Sequence, residues 1–132
     1  MSTRGLRKLT LVSGCYFWRV GHRHQPGGPG APHACAETFS VFLEQMRRSP
    51  LRVIFPEGPS HGPGFPRQAG IVVDYREPTW SVNLNRPAAA RLLIELALRN
   101  GWAPATNRRE HVIPNGYDFI RPHRELLADL ER

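Results

Sequence analysis

Apolar and polar residues alternate in short stretches of the first half of the chain, and a period of two is typical of half-buried β-strands. In the stretch AETFSVFL, Phe39, Val41 and Leu43 would share one face of a strand, while Thr38 and Ser40 would lie on the other. The pattern therefore predicts a strand over residues 36–43 with one face turned to a core, the alternative being a helix that residues 44–48 would extend.

Other stretches rich in aromatic and β-branched residues predict further strands. They cover residues 6–12, 15–20, 51–55, 70–75 and 79–84, the last two forming a hairpin around 76–78. Strand alternation places Tyr16 and Trp18 on one face and Phe17 on the other. Residues 21–34 hold four Gly and three Pro, and residues 56–66 are also rich in Gly and Pro, so both are predicted to be loops.

A helix is predicted over residues 86–99. Asn85 would be its N-cap, Pro87 would lie in the first turn, and Asn100-Gly101 would end it. Apolar residues cover nearly the whole circumference of this helix, so it is expected to be largely buried. We expect its core contacts to join Leu93, Ile94 and Ala97 to Trp80, Val82 and Leu84.

The C-terminal part predicts a second hairpin and a short helix. Residues 111–120 would form the hairpin, because Pro114-Asn115-Gly116 suits a tight turn. Residues 123–132 would form the helix. The chain is thus expected to be one α+β domain over residues 1–132. Its antiparallel sheet of five to seven strands would be packed by one central helix, with a short C-terminal helix.

No run of about 18 apolar residues occurs, so no membrane-spanning helix is expected. Thr10 and Ser13 interrupt the apolar stretch near the N-terminus, which argues against a signal peptide. The chain is predicted to be cytoplasmic and to have no membrane partner.

The formal net charge is +7, and the excess is concentrated near the N-terminus. Residues 1–36 contain five basic residues and no acid, which leaves thirteen basic and eleven acidic residues for the rest. The five are Arg4, Arg7, Lys8, Arg19 and Arg23. They are the candidate residues for binding nucleic acid or another anion, the alternative being a solvated basic face.

The histidines and cysteines raise the question of a metal site. His22, His24, His33 and Cys35 form an H-x-H and an H-x-C pair, and each pair could present two ligands on one face of a strand. The Gly/Pro spacer matches no well-known zinc module, and Arg23 would repel a cation. The sequence therefore favours no metal and no cofactor, and it predicts that Cys15 and Cys35 are free thiols.

Catalytic patterns are weak. No motif surrounds either cysteine to make it a nucleophile, and buried cysteines are common. The loop 58–64 lacks the lysine of a phosphate-binding loop, and Ser60 and His61 are adjacent in sequence, which is awkward for a Ser-His pair. No catalytic residue is assigned.

The stretches WSVNLNRPAAARLLIELALRNGWAP and YFWRVGHRH, the latter followed by a lone cysteine, resemble small proteins of GC-rich, actinobacterial-type bacteria. No activity is known for that group, so the resemblance implies a bacterial origin only. The expected function is a non-catalytic binding or accessory role through another protein. The alternative is a nucleic-acid-binding module using the basic N-terminal region, and a small enzyme or metal-binding protein comes third.

Overall fold

The protein contains two β-sheets and two α-helices in a computed structural model that describes residues 5–25, 34–63, 70–106 and 108–127. The first sheet has the order β1-β2-β3-β4-β8, and the second has the order β5-β6-β7. The strands are β1 (Arg7–Leu11), β2 (Gly14–Gln25), β3 (Ala34–Leu43), β4 (Met46–Pro56), β5 (His61–Pro63), β6 (Ile71–Asp74), β7 (Trp80–Asn83) and β8 (His111–Ile113). The helices are α1 (Pro87–Arg99) and α2 (Gly116–Ile120), followed by a 3₁₀ segment (Arg121–Leu126). The predicted α+β class is confirmed, although two sheets take the place of one.

Strand alternation assigns the two faces of the five-stranded sheet as predicted. Tyr16 and Trp18 are buried on the inner face, whereas Phe17 lies on the opposite face and is half-buried. Phe39 and Val41 are fully buried on β3, and they alternate with the half-buried Thr38 and Ser40. The inner face therefore supplies the core.

The helix α1 packs in this core. Its residues Leu93, Ile94 and Ala97 belong to one buried cluster with Trp80, Val82 and Leu84, as predicted from the sequence. A helix with so much apolar surface is stable only where that surface is covered. The second sheet belongs to the same cluster through Val72, so the core joins both sheets to α1.

The ends of α1 differ partly from the prediction. Arg86, not Asn85, occupies the N-cap position, and no side chain caps the helix there, so Pro87 provides the start signal. At the other end Gly101 has a φ of +106°, the left-handed conformation that glycine adopts without strain. The following Trp102 is buried, and its Nε1 donates a hydrogen bond to the carbonyl oxygen of Ser49 at 2.9 Å.

The predicted hairpin over residues 111–120 is wrong. Only β8 is a strand there, and it pairs in parallel with β4. Asn115 caps α2 instead of forming a turn, since its Oδ1 accepts a hydrogen bond from the backbone nitrogen of Asp118 at 3.2 Å. An Asn before a glycine suits a helix N-cap as well as a tight turn, and here the cap is formed.

Strands extend into the described parts of both predicted loops, and residues 26–33 and 64–66 lie outside the described residues. The strand β2 continues to Gln25 and β3 already begins at Ala34, while β5 lies within the second Gly/Pro stretch. Of the predicted terminal helix, the described part up to Leu126 is a 3₁₀ segment, and residues 128–132 lie outside the described residues. Among the helices described, none has the length and apolar character needed to cross a membrane.

A buried carboxylate ties the second sheet to the C-terminal segment. Asp74 is fully buried, and its oxygens accept hydrogen bonds from Arg76 at 2.8 and 3.0 Å and from Arg121 at 3.1 Å. Burial alone would raise the pKa of Asp74, but the hydrogen bonds and charges of the two arginines outweigh it and lower the pKa below its ordinary value. Arg76 also pairs with Asp118 of α2 at 2.8 Å, which extends the network to that helix.

Candidate functional site

The outer face of the five-stranded sheet, opposite α1, is called the open face below. Its apolar residues Phe17, Phe42, Ile54 and Val112 do not belong to the core cluster, unlike their inward-facing neighbours. Antiparallel and parallel pairing aligns residues directly across the strands, so the open face is organised in rows. The residues that line it are Lys8, Phe17, Arg19, Thr38, Ser40, Phe42, Arg52, Ile54 and Val112.

The first row combines cations with aromatic rings. Lys8 pairs with Phe17, and Phe17 pairs with Phe42 on the next strand. The two rings lie 5.8 Å apart between centroids. The Lys8 ammonium is 6.0 Å from the Phe17 ring, and the Arg47 guanidinium is 5.4 Å from the Phe42 ring. The row therefore presents positive charge at both ends of an aromatic pair.

The second row runs Arg19, Ser40, Arg52, Val112 across four strands. Together with Thr38 and Ile54 of the next row, these residues line a shallow depression of about 380 Å³. Arg52 is paired with Glu110 at 2.8 Å between Nε and Oε1, whereas Arg19 is exposed. The depression thus has hydroxyl groups, an apolar edge, guanidinium groups and the carboxylate of Glu110 within one small area.

More arginines lie beside the first row. Arg47, Arg48 and Arg108 line a pocket of about 510 Å³ at the turn between β3 and β4, together with Glu44. These residues are distant in sequence from the basic N-terminal region, so the net charge of residues 1–36 did not indicate them. Only the alternation of β4, which turns Arg52 away from Leu51 and Val53, gave a signal for an outward-facing arginine.

The structure separates the basic residues predicted to act together. Lys8 and Arg19 lie on the open face. Arg7 lies on the other side of the sheet, with its guanidinium 4.6 Å from the centroid of the Trp18 ring and hydrogen-bonded to the carbonyl oxygen of Asn85. Arg4 and the side chain of Arg23 lie outside the described part.

A second polar site lies on the inner face, at the end of the sheet where β2 and β3 extend past the core. His22 and Glu37 are paired positions, and His22 Nδ1 donates a hydrogen bond to Glu37 Oε1 at 2.5 Å. The Glu37 side chain is buried, and its Oε2 accepts a hydrogen bond from the backbone nitrogen of Gly70 at 3.2 Å. Glu37 therefore links the two sheets, and this pair was not predicted from the sequence.

The space beside this pair is small. His22, Cys35, Glu37, Glu57 and Tyr117 line it, and its volume is about 10 Å³, room for one water molecule at most. The ring of His61 stacks on Tyr117 with centroids 4.2 Å apart. Burial, followed by the nearby charges of Glu37, Asp74 and Glu57, raises the pKa of the Tyr117 hydroxyl above its ordinary value, so Tyr117 stays neutral.

The candidate metal ligands come only partly together. The register places His24 opposite Cys35 and His22 opposite Glu37, so Cys35 lies beside the H-x-H pair on the neighbouring strand. The side chain of His24 and the whole of His33 lie outside the described residues. Among the side chains described, no three His, Cys, Asp or Glu residues form a group able to hold a metal ion. Neither Cys15 nor Cys35 forms a disulfide, as predicted.

The second Gly/Pro stretch supports the fold in its described part. Ser60 accepts a hydrogen bond from the backbone nitrogen of Tyr75 through its carbonyl oxygen at 2.7 Å, and His61 Nδ1 donates to the carbonyl oxygen of Pro56 at 2.8 Å. Both residues therefore hold the edge of the second sheet.

Comparisons with protein-family models, with curated proteins and with solved structures found no match. The resemblance to proteins of GC-rich bacteria therefore stays a prediction.

Proposed function

We propose that the protein is a non-catalytic binding module that holds nucleic acid on the open face of its five-stranded sheet. The observation that carries this proposal is the arrangement of Lys8, Arg19 and Arg47 on one sheet face that neither described α-helix covers, with the ion pair Arg52–Glu110 beside them. Cations gathered on a single face attract phosphate groups, and each contact with a phosphate releases a counterion from the nucleic acid.

The partner class follows from the character of the exposed groups. A protein partner, the class first expected from the sequence, is usually held by clustered apolar or aromatic anchors. The large exposed apolar residues of the described part are Val12, Tyr75, Val112 and Leu126, and they lie apart, in the β1–β2 turn, the β6–β7 connection, β8 and the 3₁₀ segment. Among the side chains described, the open face presents the cations Lys8, Arg19 and Arg47 besides the ion pair Arg52–Glu110, which favours an anionic partner.

A binding role also agrees with the polar site on the inner face. The imidazole of His22 donates a hydrogen bond to the carboxylate of Glu37, which also accepts one from the backbone nitrogen of Gly70, and the neighbouring space admits one water molecule at most. A substrate would not fit in that space without displacing core residues. The pair is therefore proposed to stabilise the contact between the sheets and not to catalyse a reaction.

Titration of a fluorescently labelled 15-nucleotide strand at several salt concentrations tests the proposal. We expect the logarithm of the affinity to fall linearly with the logarithm of salt concentration, and the Lys8→Gln/Arg19→Gln variant to reduce this slope by about 2. The matched control is Arg91→Gln/Arg99→Gln, which removes the same charge from the exposed side of α1.

The control variant should bind like the unaltered protein. Equal losses in the two variants would show that only net charge matters and would contradict an interface on the open face. Absence of binding to any nucleic acid at physiological salt would contradict the proposal and favour a protein partner.

A further inference from the structure

We infer that the nucleic acid taken by the open face is single-stranded, with an unpaired base lying against the ring of Phe17. This inference rests on the proposed function and specifies its substrate. A duplex keeps its base faces inside the stack, whereas an unpaired base can lie flat on an aromatic side chain.

Phe17 is the ring that a base can reach. Phe42, its partner across β2 and β3, is only 3 % exposed, while Phe17 is half-buried and lies outside the core cluster. The two rings are tilted by 32° with centroids 5.8 Å apart, so Phe42 supports Phe17 from the side. The pair thus forms a fixed aromatic surface with one accessible ring.

The cation over this ring is loosely held. The Lys8 ammonium lies 6.0 Å from the Phe17 centroid, at the outer limit of a cation–π contact, whereas Arg47 lies closer to Phe42 at 5.4 Å. A lysine side chain is flexible, and a base stacked on Phe17 would displace the ammonium toward a neighbouring phosphate. Lys8 would then neutralise a phosphate of the bound nucleic acid.

Further contacts lie within reach along the face. Arg19 is two residues beyond Phe17 on the same face of β2, a separation of about 7 Å. Beyond it, the depression of about 380 Å³ offers the apolar edge of Ile54 and Val112 together with the hydroxyl of Ser40. A second base could lie there while Arg19 holds the phosphate between the two bases.

Three ligands of equal length separate stacking from charge: an oligothymidine 15-mer, an abasic strand with the same phosphates, and a blunt duplex. We expect the protein to bind the oligothymidine at least about tenfold more tightly than the abasic strand. The Phe17→Ala variant should lose about tenfold on oligothymidine and nothing on the abasic strand. Tyr75→Ala, which removes an exposed aromatic residue away from the face, is the control and should bind normally.

The Phe17→Leu variant keeps apolar cover on the sheet but has no aromatic face, so it should show the same loss even if Phe17→Ala folds poorly. The inference would be overturned if the protein bound the three ligands with equal affinity and Phe17→Leu did not change that affinity. If Lys8→Gln/Arg19→Gln still weakened binding, the proposed function would remain in place. Failure of all three ligands to bind would overturn both.

Discussion

The side chains of Arg7 and Lys8, neighbours in the sequence, lie on opposite faces of the five-stranded sheet. Arg7 covers Trp18 on the inner side and reaches Asn85, while Lys8 lies over Phe17 on the open face. Both residues add one positive charge to the N-terminal region, but Arg7 packs against the core side of the sheet and Lys8 lies on the open face.

We therefore expect Arg7→Gln and Lys8→Gln to have different effects. Arg7→Gln should lower the free energy of unfolding by about 0.5–1 kcal/mol, since it removes a cation–π contact at an exposed site, and should leave nucleic-acid affinity unchanged. Lys8→Gln should leave stability unchanged and reduce the salt slope of binding by about 1. Urea unfolding and salt titration of both variants test this, and the reverse assignment would contradict the two faces described.

The core prediction concerns Leu93, which is 1 % exposed on α1. Leu93→Ala should cost about 2–5 kcal/mol of unfolding free energy, because it leaves a cavity between the helix and both sheets. Leu92→Ala is the matched control, since that half-buried neighbour should cost less. An unchanged urea midpoint for Leu93→Ala would show that the helix does not pack as described.

The pair His22–Glu37 predicts energetic coupling. His22→Ala leaves the buried carboxylate of Glu37 without its side-chain partner and should cost about 1–3 kcal/mol. Glu37→Gln removes the buried charge that His22 pairs with. The loss of unfolding free energy in His22→Ala/Glu37→Gln should therefore be smaller than the sum of the two single losses, by about 0.5–3 kcal/mol. Urea unfolding of the four proteins measures this coupling, and additivity within about 0.5 kcal/mol would contradict it.

Asp74 predicts a pH dependence of stability. Its pKa is lower in the folded protein than in the unfolded chain, so the unfolded chain binds the proton more readily. The stabilisation is complete above the unfolded pKa of about 3.9 and is lost as the pH falls toward the lower folded pKa. Asp74→Asn should therefore be less stable at neutral pH, and its difference from the unaltered protein should narrow below about pH 4.

Urea unfolding at a series of pH values from neutral to acid measures that difference. Asp118→Asn is the control, because its side chain is 59 % exposed and an exposed ion pair contributes little. If the difference in unfolding free energy between Asp74→Asn and the unaltered protein stays constant through the acid range, Arg76 and Arg121 do not lower the pKa of Asp74 as described.

The pattern of apolar and polar residues predicted the helices and strands whose structure depends mainly on residues close by in the sequence. Alternation assigned Trp18 and Phe17 to their faces, and the apolar circumference of α1 predicted its burial. The hairpin over residues 111–120 was wrong because β8 is held by β4, far away in the sequence, and Asn115 could serve either a turn or a cap.

The candidate site was predictable only in part for the same reason. The basic N-terminal region indicated Lys8 and Arg19, but Arg47 and Arg52 join them only through the pairing of four strands. The burial of Glu37 had no local signal, because it depends on the register that places His22 opposite and on Gly70, the residue before β6. A carboxylate's sequence neighbours do not indicate which strand will lie across from it.

The parallel pairing of β8 with β4 has a consequence for how the chain folds. Strands β1 to β4 follow one another as antiparallel neighbours, so their pairing closes only short loops. The contact between β4 and β8 instead requires the intervening chain, with the second sheet and α1, to return to the edge of the first sheet. We expect β8 to dock late, and its slow closure to limit the folding rate of the molecule.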